Sequence, residues 1–503
     1  MKHSLACTLF ALLWLGGCQS SSETSANDTP ETNVMRIENQ ILVDSFIGNG
    51  PQWGGYDIVP SWTGQATLSD ADWNTLFKRV SFMRPGLVRI MVSQGWNYIS
   101  GDTFDPHKSD AILCKILDYC QQNDICVQFG EWGHVGGSAV DAQWVENSAS
   151  FLSYLIEERG FTCIRYFTVV NEPNGNWSST NGSYALWSQL VRSFHRKFEE
   201  KGLLDNVQLI GPDAAVWTIA ETSWMSNTKN ELHEEVTAYD IHTYPDDQTV
   251  YSTRFQQLLD AYRAASDKTR PIILGELGFK YAEGSALGNS NLEAIQADPY
   301  AAADSQMHVY DAFYGIDMAD ATIQAMRASY SGVTYWMLDD AMYNDDGSST
   351  STRLKRWGCW NILGAEKFNN AEDEKIRPWF YTVSLLSRYF PGGSQIHAVT
   401  LPTPVLSGLR AVAASKAGKY TLAIVNAGNR PYTFTLKADS GIALNDLQLY
   451  EYVAGDGATF QGTTDQEGFP TAFQSGVNLA DLPQAGIQIT MPAKSFRLYT
   501  NME

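Results

Sequence analysis

Eight short apolar runs recur along this chain, each bounded by Gly, Pro, Asn or Asp: Ile41 to Ile47, Leu87 to Val92, Ile125 to Phe129, Ile164 to Val170, Val207 to Ile210, Ala238 to His242, Ile272 to Leu274 and Val333 to Leu338. Between them lie segments with helical periodicity, among them Ala71 to Phe82, Ser109 to Gln122, Ala149 to Arg159, Tyr184 to Lys201, Phe255 to Ala264 and Met318 to Tyr330. Strands that are apolar throughout must be covered on both faces, which a parallel sheet achieves when a helix follows each strand. Eight such repeats predict an α/β fold, the (β/α)8 TIM barrel.

Two of these runs lead into a glutamate. VVNEPNG carries Glu172 just past the fourth run, and ILGELGF carries Glu276 at the end of the seventh. A buried strand seldom terminates in a carboxylate unless the charge is used. A carboxylate pair on strand ends suits the cleavage of an acetal: one acid protonates the leaving oxygen, and the other carboxylate attacks the anomeric carbon or activates water. Identical side chains can take these opposite roles when their surroundings push their pKa values apart. Direct attack requires the two groups about 5–5.5 Å apart.

In such a barrel, working residues gather at the carboxyl ends of the strands. Besides Asn171, the candidates for substrate binding are Arg89 in LVRIMV, His134 after the third strand in GEWGH, His242 and Tyr244 in DIHTYP, and Trp336 in TYWMLDD. Each could also be structural: Arg89 could pair a buried carboxylate, His134 could be a loop residue, and Trp336 could fill the barrel.

An Asn-Glu-Pro at strand four with a lone Glu three strands later resembles clan A of the glycoside hydrolases, in a layout nearest families 39 and 5. The resemblance implies a retaining double displacement, in most clan members at β-linkages, with Glu172 as acid/base and Glu276 as nucleophile. It also implies that Asn171 bonds the hydroxyl next to the anomeric carbon, that Arg89 and Tyr244 contact the nucleophile, and that Trp336 floors a sugar subsite. His134, several residues beyond its strand, departs from the pattern.

Aromatic residues make up 12% of the chain, including 15 Trp, and their rings can stack on sugars as well as fill a core. Trp53, Tyr56, Trp62, Trp96, Trp132, Trp177, Trp217, Trp357 and Trp360 fall where loops are expected. Two long loops, from Lys280 to about Asp317 and from Asp339 to about Arg377, are expected to wall a cleft. The second carries LKRWGCWN, a basic and aromatic patch suited to an acidic or neutral sugar or to ordinary packing. After the helical WFYTVSLLSRYF the text turns to alternating strands with short turns, which predicts a C-terminal antiparallel β-sandwich.

At the amino terminus, Met1-Lys2-His3 precedes an apolar stretch too short to span a membrane, ending in Leu15-Gly16-Gly17-Cys18. That ending resembles a bacterial lipobox, which implies a lipid on Cys18 and a place in the bacterial cell envelope, at the outer membrane or cell surface. The expected organisation is a signal peptide over 1–17, a polar flexible tether over 18–37, the catalytic barrel over 38–392 and the sandwich over 393–503. Five cysteines remain, Cys114, Cys120, Cys126, Cys163 and Cys359, and an odd number cannot be fully paired. Cys126 and Cys163 open neighbouring strands and could bridge; buried free thiols are the expectation.

With a net charge of −21, nucleic acid is excluded as a natural partner. No cysteine or histidine spacing matches a zinc site and no phosphate loop is present, so no metal and no cofactor is expected. The expected partners are a carbohydrate substrate and, through the lipid, a membrane. Two rival classes fit the residues less well: a non-catalytic glycan-binding lipoprotein, which has no use for both glutamates, and a metal-dependent hydrolase, which needs clustered ligands that the scattered His134 and His242 do not supply.

Overall fold

A computed structural model describes residues 32–56, 68–134, 138–344, 352–479 and 482–503. The signal peptide, Cys18, most of the expected tether and Trp62 lie outside the described residues. Among the described residues no helix is long and apolar enough to cross a membrane.

The barrel strands are, in order, Gly48–Pro51, Leu87–Val92, Cys126–Glu131, Ile164–Thr168, Gln208–Ala215, Val236–Thr243, Ile272–Leu277 and Gly332–Tyr335. Successive strands pair in parallel from the second to the eighth, and the eighth pairs with the first. A parallel bridge between Gln52 and Arg89 joins the first strand to the second and closes the ring. Leu87–Val92, Ile272–Leu277 and Gly332–Tyr335 are buried at every position, as strands between a packed barrel interior and a ring of helices must be. The helix Asp70–Met83 shows how that ring forms. Ser69 and Asp72 cap it reciprocally, and Trp73, Leu76, Val80 and Met83, on one stripe, turn inward. Burying each such side chain is worth about 1.5–3 kcal/mol.

One strand differs from the sequence expectation. The apolar run Ile41 to Ile47 does not open the barrel; it belongs to the end of Val34–Val43, a strand of the other sheet, and to the link that follows. The true first barrel strand is Gly48-Asn49-Gly50-Pro51, which has no apolar periodicity to detect. Its glycines are required by close approach: a Cβ on Gly50 would sit 1.8 Å from the Leu87 carbonyl oxygen.

The sandwich is built from Val34–Val43, Gln395–Thr400, Leu409–Lys416, Lys419–Asn426, Tyr432–Ala438, Leu447–Ala454, Ile487–Met491 and Ser495–Thr500, with two short edge strands, in one ten-stranded sheet. Val34–Val43 links its halves, pairing antiparallel with Gln395–Thr400 and parallel with Tyr432–Ala438. The expected division at residue 393 therefore leaves out one strand, contributed by residues assigned to the tether and the barrel. Side chains alternate strictly. Leu409, Ala411, Ala413, Leu422 and Ile424 face Met35, Ile37, Phe434, Leu436 and Ile489 in the sandwich interior. Val412, Ala414, Ala423 and Val425 face the barrel helices Ala312–Arg327 and Phe380–Arg388. The cysteines Cys114, Cys120, Cys126, Cys163 and Cys359 are all free thiols, buried except for the half-buried Cys126.

Candidate active site

Glu276 occupies the penultimate position of the seventh barrel strand, in register with His242 on the sixth. Its carboxylate is buried and held by two donors: Arg89 Nη1 at 2.6 Å to Oε1, and the Tyr244 hydroxyl to Oε2. Glu172 lies four residues beyond the fourth strand, with φ at +45°, a left-handed backbone that costs a non-glycine residue of order 1–3 kcal/mol. Trp177 Nε1 donates to its Oε2 at 2.7 Å, and His242 Nδ1 lies 3.1 Å from Oε1. One carboxylate oxygen of Glu172 and one of Glu276 lie within 4.8 Å of each other.

Beneath the pair sits Asp213, at the carboxyl end of the fifth strand and itself at φ +56°. It meets Arg89 Nη2 at 3.0 Å and His242 Nε2 at 3.0 Å, and accepts the Glu172 backbone N–H at 3.3 Å. Its own backbone N–H donates to Asp240 Oδ1 at 2.7 Å, and Gln128 Nε2 donates to Asp240 Oδ2 at 2.7 Å. Arg89 also donates to Asn171 Oδ1 at 2.9 Å, fixing the residue before the acid.

The charge states follow from these contacts. Burial alone would push Asp213 up, but the charges of Arg89 and His242 hold it well below the usual carboxylate range. Burial and the neighbouring Asp213 raise Asp240 well above that range. Burial lowers the pKa of His242, yet the carboxylates of Asp213 and Glu276 outweigh that effect and raise it well above its ordinary value. Burial also pushes Glu172 up, but the hydrogen bond and charge of His242, then Trp177, bring it below its ordinary value. Glu276 is raised by burial, against the pull of His242 and Arg89.

Above the carboxylates a cleft of about 570 Å³ is lined by Trp96, Trp132, Trp177, Trp217, Trp336, Tyr343 and Trp357, with Asn171, Glu172, Tyr244, Glu276 and Lys280 at its floor and walls. Trp336 stacks on Tyr343 at 5.7 Å with planes 1° apart, and Trp132 meets both rings edge-on. Trp177 and Trp217 are about half exposed and pack edge to face at 6.1 Å. Flat rings with a few polar groups between them can stack on the apolar faces of sugars.

The structure brings together Asn171, Glu172, Glu276, Arg89, His242, Tyr244 and Trp336. Arg89 and His242, candidates for substrate contact, are instead fully buried under the carboxylates, so they position and charge them without lining the cleft. His134 stands apart: it bonds Gln94 at 2.8 Å and Asp141 at 3.0 Å and stacks on Trp144. Sequence reasoning missed Asp213, although a carboxylate inside the apolar QLIGPDAAV was a signal of the same kind as the two glutamates.

His242 is also less scattered than its sequence context suggested. Ligand atoms of Glu172, His242 and Glu276, and of Asp213, Asp240 and His242, lie within 4.8 Å of one another in each set. As placed, however, every carboxylate oxygen of the four acids accepts from a protein donor, both His242 nitrogens are engaged, and the Arg89 guanidinium supplies the positive charge. A divalent ion would have to displace that cation, so the donor set does not fit a metal centre.

No protein-family model matches the chain, and no curated protein matches it. Solved structures do. The glycoside hydrolase family 30 subfamily 8 xylanase from Clostridium acetobutylicum superposes with a TM-score of 0.58 at 13% identity, covering 93% of this chain and 99% of that one. A family 39 β-xylosidase from Caulobacter crescentus gives 0.57 at 13% identity, over 93% and 99% of the two chains. A family 51 α-L-arabinofuranosidase from Bifidobacterium longum gives 0.59 at 13% identity, again over 93% and 99%. The likeness is one of fold, a TIM barrel with a C-terminal β-sandwich, and it spans both domains.

Proposed function

We propose that this chain is a retaining glycoside hydrolase that cleaves O-glycosidic bonds, in the β configuration, by double displacement. The observation that carries the reading is the spacing of Glu172 and Glu276, one oxygen of each lying within 4.8 Å of the other beneath an aromatic cleft. Inverting pairs stand about 6.5–9.5 Å apart to admit a water, whereas retaining pairs stand about 5–5.5 Å apart. Fold likeness to a xylanase, a β-xylosidase and an arabinofuranosidase supports a glycan as substrate.

Glu276 is the nucleophile. Burial raises its pKa, and His242, Arg89 and the Tyr244 hydroxyl work against that rise, with Arg89 and Tyr244 donating to its two oxygens and favouring the ionised form that attacks the anomeric carbon. Glu172 is the acid/base. In the resting site it accepts a hydrogen bond from the His242 imidazole, whose Nδ1 lies 3.1 Å from Glu172 and 3.6 Å from Glu276. The Glu172 side chain is still 14% exposed, and a sugar in the cleft excludes the remaining water and raises its pKa. The proton then sits on Glu172, ready for the leaving oxygen. Asn171, pinned by Arg89, presents its amide N–H to the sugar. No step calls for a metal or cofactor.

Glu276 is tested by trapping. A panel of 2-deoxy-2-fluoro-glycosyl fluorides should inactivate the enzyme and leave one sugar on Glu276 by peptide mass mapping, and Glu276→Gln should retain the fold while losing nearly all turnover. An adduct on a different residue, or full activity in Glu276→Gln, removes the assignment. We also propose that acylated Cys18 holds the enzyme on the bacterial envelope. Cys18→Ala should then move active protein from the membrane to the soluble fraction, and unchanged retention would count against the lipid.

A further inference from the structure

The cleft carries two lysines, and among the described residues only one of them has a carboxylate partner. Its three lining carboxylates are each accounted for: Glu276 by Arg89 at 2.6 Å, Glu172 by His242 at 3.1 Å, and Asp304 by Lys355 at 3.5 Å. Trp357 Nε1 fixes the Asp304 backbone at 2.6 Å, which keeps that pair on the wall. Lys280 remains. Three residues past the seventh strand, it is exposed to the cleft and forms no ion pair among the described residues; its ammonium lies 5.2 Å over the ring of Tyr244. The same Tyr244 gives its hydroxyl to Glu276, so Lys280 stands beside the residue that holds the nucleophile.

The geometry points to Lys280 as the contact for an oxyanion carried by the glycone, either the carboxylate of a uronic acid or a sulfate ester. This rests on the proposed attack of Glu276, because it is the sugar attacked there that lies within the ammonium's reach. A lysine ammonium is a compact point charge that serves either anion without the planar fork an arginine would impose. In a chain of net charge −21 an anionic substrate is repelled at long range, and a cation inside the cleft with no ion pair among the described residues supplies the local attraction that admits it. The ring beneath the ammonium holds it in place by a cation–π contact while leaving its N–H groups for the ligand.

The test compares three aryl substrates that differ at one carbon: 4-nitrophenyl β-D-glucuronide, 4-nitrophenyl 6-sulfo-β-D-glucoside and 4-nitrophenyl β-D-glucoside, with the galacto series in parallel. Wild-type enzyme should prefer one anionic member over its neutral counterpart by at least about tenfold in kcat/KM, and which member is preferred identifies the anion. Lys280→Gln should lower that ratio by about tenfold or more, and added salt should erode it in the wild type. A neutral preference in the wild type, or an unchanged ratio in Lys280→Gln, overturns the proposal. If none of the substrates is turned over, the glycosidase reading is decided by the trapping of Glu276 instead. Calorimetry with sodium glucuronate, glucose 6-sulfate and glucose then decides the Lys280 contact alone: tighter anion binding lost in Lys280→Gln supports it, and equal affinities overturn it.

Discussion

Asp213 breaks no bond, yet Glu172, His242 and Arg89 all hang from its two oxygens. The left-handed backbone at both Asp213 and Glu172 persists because these hydrogen bonds over-determine it, a pattern typical of residues held for chemistry. Glu172 itself can be separated from a structural role by varying the leaving group. Glu172→Ala should slow a substrate with a poor leaving group by about 10² to 10⁴-fold, the usual worth of general acid-base help, while the first step with an activated aryl glycoside persists. Azide should then rescue the second step and yield a β-glycosyl azide, because a small anion needs no base and fits the vacated space. Equal slowing of both substrates with no rescue would make Glu172 a binding residue. The two glutamates were readable in the sequence because a charge at the end of an apolar run is unusual. Which residues touch the sugar was not readable: Arg89 and His242 look alike in sequence whether they line the cleft or lie under it, and only packing separates the cases.

At the scale of elements, the barrel closes where its sequence is least strand-like. Seven of its strands announce themselves as apolar runs, but the first does so only through Gly48 and Gly50, whose missing side chains let it approach Pro85, Gly86 and Leu87. Gly50→Ala would place a methyl 1.8 Å from the Leu87 carbonyl oxygen, a clash with backbone that no rotamer relieves. The variant should lose several kcal/mol of stability by the overpacking and the broken closure, read as a large fall in melting temperature or as insoluble protein; a wild-type melting curve would contradict the close approach. The same locality explains the misplaced Ile41 to Ile47. An alternating or apolar run says that a strand forms, but its partner is set by long-range pairing, and here Val34–Val43 pairs across more than 350 residues with Gln395–Thr400. The later sandwich strands were legible because their alternation is strict and one face of each meets the sandwich interior.

In the whole molecule, several buried carboxyls give stability a distinct pH dependence. Burial raises Glu131, Asp317 and Asp339 to about 7 and Asp320 to about 6. In the unfolded chain these groups titrate near 4, so between about pH 4 and 7 the folded state binds more protons and stability falls as pH rises. Glu146, lowered to about 2 by Lys201 and Lys197, acts in the opposite sense but only below about pH 4.5. Melting temperature should therefore be higher at pH 5 than at pH 8, and Asp317→Asn, which cannot ionise, should flatten the decline; a wild-type melting temperature that is level or rising over that range would contradict it. One oxygen of Glu172 lies within 4.8 Å of one of Glu276, and the proposed double displacement rests on that approach. Double displacement is tested most directly by proton NMR of the first sugar released from whichever aryl glycoside the enzyme turns over, recorded before mutarotation. The expected product has the anomeric configuration of the substrate, whereas a first product of inverted configuration would contradict the mechanism.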